Sequence, residues 1–135
     1  MLRSRVQLAE ASYHRCAESG AFYNTFYDHL LASDPRIPPM FAATEFARQH
    51  QLLKHALGLL IIYAKRSNPA LLERIAERHQ EVGVLNDLYP SFVESLVQTV
   101  AEHDPEYTPE VAEAWRATVA PGIEFIMQRR AEGTA

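Results

Sequence analysis

His79 is the residue in this sequence with the clearest capacity for chemistry. It follows Leu72, Ile75 and Ala76 at helical spacing, so it lies on the apolar face of a short amphipathic helix. Gly83 can adopt a positive φ angle and end that helix soon afterwards. A neutral imidazole on an apolar face is either an ordinary core residue or a metal ligand. The choice between the two depends on the elements that surround it.

The composition indicates the class of protein. The chain has 135 residues, a net charge of −4, 47% hydrophobic and 22% charged residues, which is typical of one globular domain. It has no basic block, which argues against binding to nucleic acid or to an anionic membrane. The longest apolar run, residues 56–64, is too short to cross a bilayer. The N-terminal residues show no basic-then-apolar pattern, so we expect no secretory leader. Because Cys16 is the single cysteine, no internal disulfide can form, and we expect a cytoplasmic protein.

Helical periodicity runs through the whole sequence, and the alternation typical of β-strands is absent. It predicts an all-α fold with a short proline-bound turn between the second helix and a long third one. The predicted ranges are 2–18, 21–33, 34–41, 45–66, 69–82, 88–102 and 109–130. Pro121 lies inside the last helix and is expected to kink it. Residues 1–130 thus form one predicted domain, and the tail 131–135 is expected to fray.

Polar residues mark the predicted helix starts. Thr44, Asn68 and Thr108 each precede a helical segment and are expected to cap it, since their side chains can accept a hydrogen bond from the first turn. Asn86 or Asp87 is expected to do the same for the helix that begins near residue 88. These caps delimit the segments on which the candidate site residues lie.

The order of helices and four motifs resemble those of small single-domain bacterial globins, which are related to the globin domain of flavohaemoglobins. The motifs FYDHLL, DPRIPPMF, AERHQEVGV followed by YP, and PEVAEAW match in order and spacing along nearly the whole chain. The resemblance implies a globin fold, in which helices A, B, C, E, F, G and H surround a haem pocket. It also implies haem b as the cofactor, with His79 as the proximal ligand of the iron.

The same resemblance implies roles on the distal side of the haem. Tyr27 matches the tyrosine whose hydroxyl donates a hydrogen bond to the gaseous ligand, and Phe41 matches the phenylalanine that packs on the porphyrin. On the long helix, a spacing of four before Leu53 favours Gln49 as the second distal residue. A spacing of three favours His50, which could instead bind the iron itself. The sequence leaves both possibilities open.

On the proximal side, Tyr89 matches a tyrosine that flavohaemoglobins have near the proximal histidine. There it works with a glutamate on the last helix, which makes the imidazole more basic. That glutamate position falls at or near Arg130 in this chain, so we expect the pair to be broken. Arg78 either reaches a haem propionate or is solvated. The other expected pocket residues are Leu53, Leu57, Ile75, Val84, Val93, Leu96 and Val97.

Three functions compete within this resemblance. The first is reversible binding of O2, and also of CO and NO, at a five-coordinate iron, with tight binding if Tyr27 and Gln49 both donate. The second is an NO dioxygenase, which would need an external reductase, since we expect no flavin or nicotinamide domain in this protein. The third is a stand-alone haem gas sensor. A haem-free domain is disfavoured because it would not need His79, Tyr27 and Phe41 together. We expect a monomer or a homodimer, and enzymatic activity is not required.

Overall fold

The computed structural model describes the backbone of residues 4–133 and the side chains of residues 4–129. Within that range the regular secondary structure is helical throughout, which confirms the predicted all-α class. The α-helices are α1 (Arg5–Ala17), α2 (Phe22–Ser33), α3 (Phe46–Arg66), α4 (Glu73–Val82), α5 (Tyr89–His103) and α6 (Pro109–Gly133). Short 3-10 helices at Pro38–Phe41, Pro69–Leu71 and Asn86–Leu88 precede α3, α4 and α5. None of these described helices combines the length and apolarity needed to span a membrane.

Several helix ends lie where the sequence predicts them. The side chain of Thr108 accepts a backbone hydrogen bond of 3.2 Å from the first turn of α6. The side chain of Asn68 accepts a similar bond of 3.1 Å, but it opens the 3-10 helix before α4 rather than α4 itself. Gly83 ends α4 in the left-handed conformation, with φ of 77°. These signals are local, so they can be recognised from neighbouring residues alone.

Two of the predicted caps are wrong. The residue that precedes α3 is Glu45, which makes no side-chain capping bond, so Thr44 lies one position too early. Asn86 instead donates a 3.2 Å hydrogen bond from Nδ2 to the backbone of α6, and Asp87 pairs with Arg36 at 3.0 Å. Both side chains before α5 are therefore engaged with distant parts of the chain. The start of α5 carries no side-chain cap.

The two ends of the described chain differ slightly from the predicted boundaries. A capping box between Ser4 and Gln7 opens α1, whereas the predicted start at Leu2 lies outside the described residues. At the other end, α6 is one helix that continues through Pro121 and reaches Gly133. The remainder of the predicted tail lies outside the described residues. The kink expected at Pro121 stays a prediction.

The helices pack pairwise, and α6 is central to this packing. Helices α1, α3 and α4 each contact α6, while α2 packs on α5. Gly122 on α6 allows a close approach to α3, since a Cβ atom added there would lie 2.5 Å from the Cδ2 atom of Leu60. Trp115 on α6 is completely buried at the centre of the core. The predicted site residues lie on the remaining faces of α2, α3, α4 and α5.

A buried polar network joins α1, α5 and α6. We call it the Asp104 network, after the fully buried carboxylate at the end of α5. Asp104 accepts hydrogen bonds of 2.6 Å each from Ser12 and Arg15, and Trp115 donates to the hydroxyl of Ser12 at 2.9 Å. Burial alone would raise the pKa of Asp104, but these bonds outweigh it and hold that pKa below its ordinary value. The network includes none of the predicted site residues.

Candidate functional site

The turn after α4 fixes the position of His79. The side chain of His79 is half-buried in the last turn of the helix. The backbone N–H groups of Gly83 and Val84 donate to the carbonyls of Gln80 and His79, at 3.2 and 3.0 Å respectively. Because Gly83 adopts φ of 77°, where a side chain would be strained, it reverses the chain immediately after the histidine. This reversal brings the start of α5 back towards His79.

His79 and Tyr89 form a hydrogen-bonded pair across that turn. The Nδ1 atom of His79 lies 2.9 Å from the hydroxyl of Tyr89, which is buried at the first position of α5. Burial lowers the pKa of His79, so its imidazole is neutral at pH 7. Among the described residues, no group forms a hydrogen bond with Nε2. If Nδ1 donates its proton to the phenol oxygen, Nε2 keeps a free lone pair and can bind a metal ion.

Tyr27 on α2 and Gln49 on α3 form a second polar pair. The side-chain amide of Gln49 donates to the hydroxyl of Tyr27 at 3.0 Å. The proton of that hydroxyl is only weakly engaged, because its nearest acceptor is the backbone carbonyl of Gln49 at 3.5 Å. Burial raises the pKa of Tyr27 to about 12, against the lowering effect of the bond from Gln49. Tyr27 is therefore a protonated donor at neutral pH, with its proton available to a small ligand.

An aromatic cluster surrounds Tyr27, and we define it as Tyr27, Phe41, Phe46 and His50. The ring of His50 is parallel to that of Tyr27, with an interplanar angle of 9° and 5.6 Å between centroids. Phe41 and Phe46 meet Tyr27 edge-on at 5.7 and 5.5 Å. The Nε2 atom of His50 is buried and has no hydrogen-bond partner among the described residues. Gln49 thus reaches the hydroxyl of Tyr27, while His50 lies against its ring.

The predicted apolar pocket residues occupy three different environments. Leu53 and Leu57 are buried on the face of α3 that also carries Gln49, at intervals of one turn. Ile75 and Val84 are half-buried and pack against the core on either side of His79 in the sequence. Leu96 and Val97 are buried on α5, whereas Val93 and Tyr89 line a cavity of about 320 Å³ between α5 and α6. Val93 and Tyr89 are thus predicted pocket residues that face the cavity between α5 and α6.

Two charged residues, Arg78 and Arg130, add little to the description of the predicted site. Arg78 is largely exposed and forms an ion pair with Glu81 at 3.4 Å, one turn further along α4. It is solvated in this structure, and its position at the surface leaves it accessible to an anionic group. The side chain of Arg130, where the resemblance implied the loss of a glutamate, lies outside the described residues. The expected loss of the proximal carboxylate therefore stays a prediction.

Phe46 and Phe92 are site residues that the sequence reasoning missed. Phe46 precedes His50 by one helical turn on α3, so its spacing could have assigned it to the same face. Phe92 follows Tyr89 by three residues on α5 and contacts Phe26 edge-on at 5.3 Å. Helical spacing does not single out Phe92 in the same way, because an aromatic residue at a helix start fits any core position.

The residues available to a metal ion limit the kind of metal site. In the part of the chain with described side chains, no three or more His, Cys, Asp and Glu residues are grouped so that they could hold a metal ion. A metal bound by His79 would therefore have at most one further ligand of these types among the described residues. A planar macrocycle that supplies its own ligands to the metal meets that requirement, and the leucines and aromatic rings of the core offer it apolar contacts. The chemistry of the site thus fits haem.

Comparison with known proteins gives two positive results. The family model described as Globin matches residues 24–123. A solved structure from Pseudomonas aeruginosa PAO1 aligns with a TM-score of 0.91 at 31% sequence identity, and the alignment covers 94% of this chain and 98% of that one. That bacterial protein is described as structurally highly homologous to a human haemoglobin. No curated protein is significantly similar in sequence.

Proposed function

We propose that this chain, which belongs to the globin family, binds haem b through Nε2 of His79. In this proposal it takes up O2 reversibly beside Tyr27, and it also binds CO and NO. The observation that carries the proposal is the state of His79. Its imidazole is neutral, its Nδ1 atom is held by Tyr89, and no group among the described residues forms a hydrogen bond with its Nε2 atom. This is the arrangement that a haem-ligating histidine requires.

The residues that would hold the cofactor come from α3, α4, one 3-10 segment and the turn after α4. Haem supplies an iron that binds small diatomic gases. Around it, His79 would be the single protein ligand, and Phe41 would pack on the porphyrin through its ring face. The buried or half-buried aliphatic residues in its neighbourhood would exclude water from the cofactor; they are Leu53, Leu57, Ile75 and Val84.

Tyr27 and Gln49 would control how long a gas stays bound. Tyr27 is neutral and can donate its proton, and Gln49 orients the phenol by donating to its oxygen at 3.0 Å. A hydrogen bond to a strongly polarised acceptor contributes about 1.5–3 kcal/mol, which corresponds to a tenfold to hundredfold change in affinity. O2 is more polar than CO when it is held at ferrous haem, so this donor favours O2. We infer tight O2 binding with slow release.

The partner of His79 favours reversible binding over an oxidative function. In this structure Nδ1 is paired with a phenol, which is a weaker acceptor than a carboxylate. An imidazole with a weaker acceptor is less basic and pushes less electron density towards a metal. Catalysis by an NO dioxygenase would additionally need an external reductase. Reversible gas binding needs neither a strong acceptor for Nδ1 nor a reductase.

Visible absorption spectra of the purified full-length chain test this proposal. They are recorded for the ferric, dithionite-reduced and CO-treated protein, for the wild type and for His79→Ala. We expect a strong Soret band that shifts on adding CO, and we expect the mutation to remove or displace it. His55→Ala is the matched control, since His55 is an exposed histidine on α3. Its spectrum should equal that of the wild type.

The reduced spectrum also distinguishes the two assignments of the distal residue. One broad visible band indicates five-coordinate iron, as expected when Gln49 and Tyr27 interact with each other. Two sharp bands indicate a sixth ligand from the protein, for which His50 is the candidate. If no Soret band appears even after addition of haemin, or if His79→Ala leaves the spectrum unchanged, the proposal is wrong.

A further inference from the structure

His50 is the member of the aromatic cluster that the proposed function does not use. It lies on α3 next to Gln49, and its ring contacts two tyrosines that are one turn apart on α2. Besides the parallel contact with Tyr27 at 5.6 Å, it is tilted against Tyr23 at 6.3 Å. Tyr23 is itself held by a 2.8 Å hydrogen bond to the hydroxyl of Tyr13. His50 is thus supported from behind by a fixed ring while it faces Tyr27.

The contact between His50 and Tyr27 is made by ring faces rather than by polar atoms. Among the described residues no group pairs with the buried Nε2 atom of His50, and no hydrogen bond joins the two side chains. A buried nitrogen without a partner lowers stability, so hydrogen bonding inside the protein does not explain a histidine here. What the side chain supplies is a flat ring at an interplanar angle of 9° to that of Tyr27. A flat neighbour restricts rotation of the phenol ring about its own axis.

Gln49 and His50 therefore act on different parts of the same tyrosine. Gln49 holds the hydroxyl oxygen at 3.0 Å, whereas His50 covers the ring. Phe41 and Phe46 contact the ring at its edges and leave its orientation less restricted than a parallel partner does. Without His50, the ring would keep the amide hydrogen bond and its T-shaped contacts with Phe26, Phe41 and Phe46, but it would lose its parallel neighbour.

We propose that His50 is a positioning residue, which fixes the plane of the Tyr27 ring by stacking and thereby the plane in which its hydroxyl proton lies when it points at the bound gas. The proposal rests on the proposed function for its effect on gas release, but not for its effect on the tyrosine itself. The ring of His50, and not its nitrogen atoms, carries the role. Phenylalanine should then replace histidine at this position, and alanine should not.

Two measurements on His50→Phe and His50→Ala test this. The first is the flip rate of the Tyr27 ring, measured by NMR on the full-length chain with labelled tyrosine, with and without haem. The second is the rate of O2 dissociation from the reduced, haem-loaded protein. An aromatic pair contributes enough energy for a roughly two- to tenfold effect. We expect His50→Ala to speed both processes by this factor, and His50→Phe to leave both at the wild-type rate.

Each alternative outcome contradicts the proposal in a different way. If His50→Phe behaves like His50→Ala, a nitrogen atom of His50 acts directly, either on the gas or as an iron ligand. If His50→Ala leaves both rates unchanged, the stacking does not position Tyr27. Should the alanine variant fail to fold, His50→Leu fills the same space without a flat ring and takes its place. Failure of the protein to bind haem would overturn the proposed function, whereas the ring-flip measurement would still test the stacking.

Discussion

The hydroxyl of Tyr27 has one proton and two lone pairs, and Gln49 occupies one of the lone pairs. The proton is left for a ligand, because the backbone carbonyl of Gln49 at 3.5 Å is at the limit of a hydrogen bond. Tyr27 differs in this respect from Tyr89, whose hydroxyl is paired with His79. In the proposed function the two tyrosines therefore have distinct chemical tasks, one towards the gas and one towards the imidazole.

Replacing Tyr27 by phenylalanine should accelerate the release of O2. The ring and its contacts in the aromatic cluster are kept, so the loss reports the hydroxyl alone. We expect the O2 dissociation rate to rise tenfold to hundredfold, and the CO dissociation rate to change by much less because bound CO is less polar. Stopped-flow displacement of O2 by excess CO measures the first rate.

Tyr63→Phe is the matched control for this change, since Tyr63 lies near the other end of α3 and its ring packs on Phe125 of α6 at 5.7 Å. It should leave both rates close to those of the wild type. An O2 dissociation rate that is equal in Tyr27→Phe and in the wild type would contradict the assigned role of Tyr27.

The choice between Gln49 and His50 shows where residue-level prediction from the sequence ends. Both residues satisfy helical spacing with Leu53, so periodicity cannot separate them. The structure shows one amide bonded to the phenol and one imidazole stacked on it, a difference of side-chain direction that depends on α2. That direction is a property of how two helices cross and is not encoded in either helix alone.

At the scale of elements, the crossing of α3 and α6 depends on a residue without a side chain. A Cβ atom at Gly122 would lie 2.5 Å from Leu60 and 3.1 Å from Leu72, and both leucines are buried. Gly122→Ala should therefore destabilise the protein by about 1 kcal/mol, since overpacking costs about 1–3 kcal/mol and the better helix propensity of alanine offsets part of it. Urea unfolding followed by circular dichroism measures the difference.

The same exchange at Gly58 on α3 should have the opposite sign. No atom lies within 4 Å of a Cβ added there, so alanine gains helix propensity without a clash. We expect Gly58→Ala to raise the free energy of unfolding by about 0.5–1 kcal/mol. If both variants changed stability in the same direction, the close approach at Gly122 would not be the cause.

The elements themselves were predicted well where their signals are local. Thr108 before Pro109, and Gly83 after an apolar face, delimit helices through contacts with residues in the same turn. Thr44 misplaced the start of α3 by one position, whereas Asn86 misled the prediction because a tertiary contact overrides its local propensity. Asn86 turns its side chain to α6, more than 40 positions away, and a sequence window around it contains no sign of that partner.

At the scale of the whole molecule, the Asp104 network should make the free energy of unfolding decrease as the pH falls. Its hydrogen bonds hold the pKa of Asp104 below the ordinary value of 3.8, so the unfolded chain binds a proton more readily than the folded one. The stabilisation is present above about pH 4 and is lost as the pH falls through the lowered pKa of the folded state. Asp104→Asn should cost about 3 kcal/mol at pH 7, since it leaves Arg15 without its carboxylate.

Urea unfolding at pH 7 and at a series of values down to pH 2 measures this difference. The wild type and Asp104→Asn should converge as the pH falls. Asp34 also has a lowered pKa, about 2, but it is present in both proteins and cancels in the comparison. Asp87→Asn is the control, because its pair with Arg36 is exposed and should contribute less than about 1 kcal/mol. A constant difference between wild type and Asp104→Asn at all pH values would contradict the linkage.

No feature of the sequence revealed the Asp104 network. Ser12, Asp104 and Trp115 are unremarkable one at a time, and the network exists only because α1, α5 and α6 meet. The helix order and the four motifs, by contrast, carried the resemblance to globins, and the family model and the solved structure confirm the fold that this resemblance implied. Prediction thus succeeded for helix ends, which depend on neighbouring residues, and for the fold, whose pattern extends over the whole chain. It failed where a side chain bonds to a residue that is far away in the sequence.

The Asp104 network also affects the order in which contacts form while the chain is being synthesised. Ser12 and its partner Trp115 are separated by 103 residues, so the first helix leaves the ribosome long before its last partner exists. At roughly 5–20 residues per second, that interval is roughly 5 to 20 s. During this time the face of α1 that packs on α6 is uncovered on the nascent chain. Helix α1 is therefore made well before α6, on which it packs, and a chaperone would encounter its uncovered face in that interval.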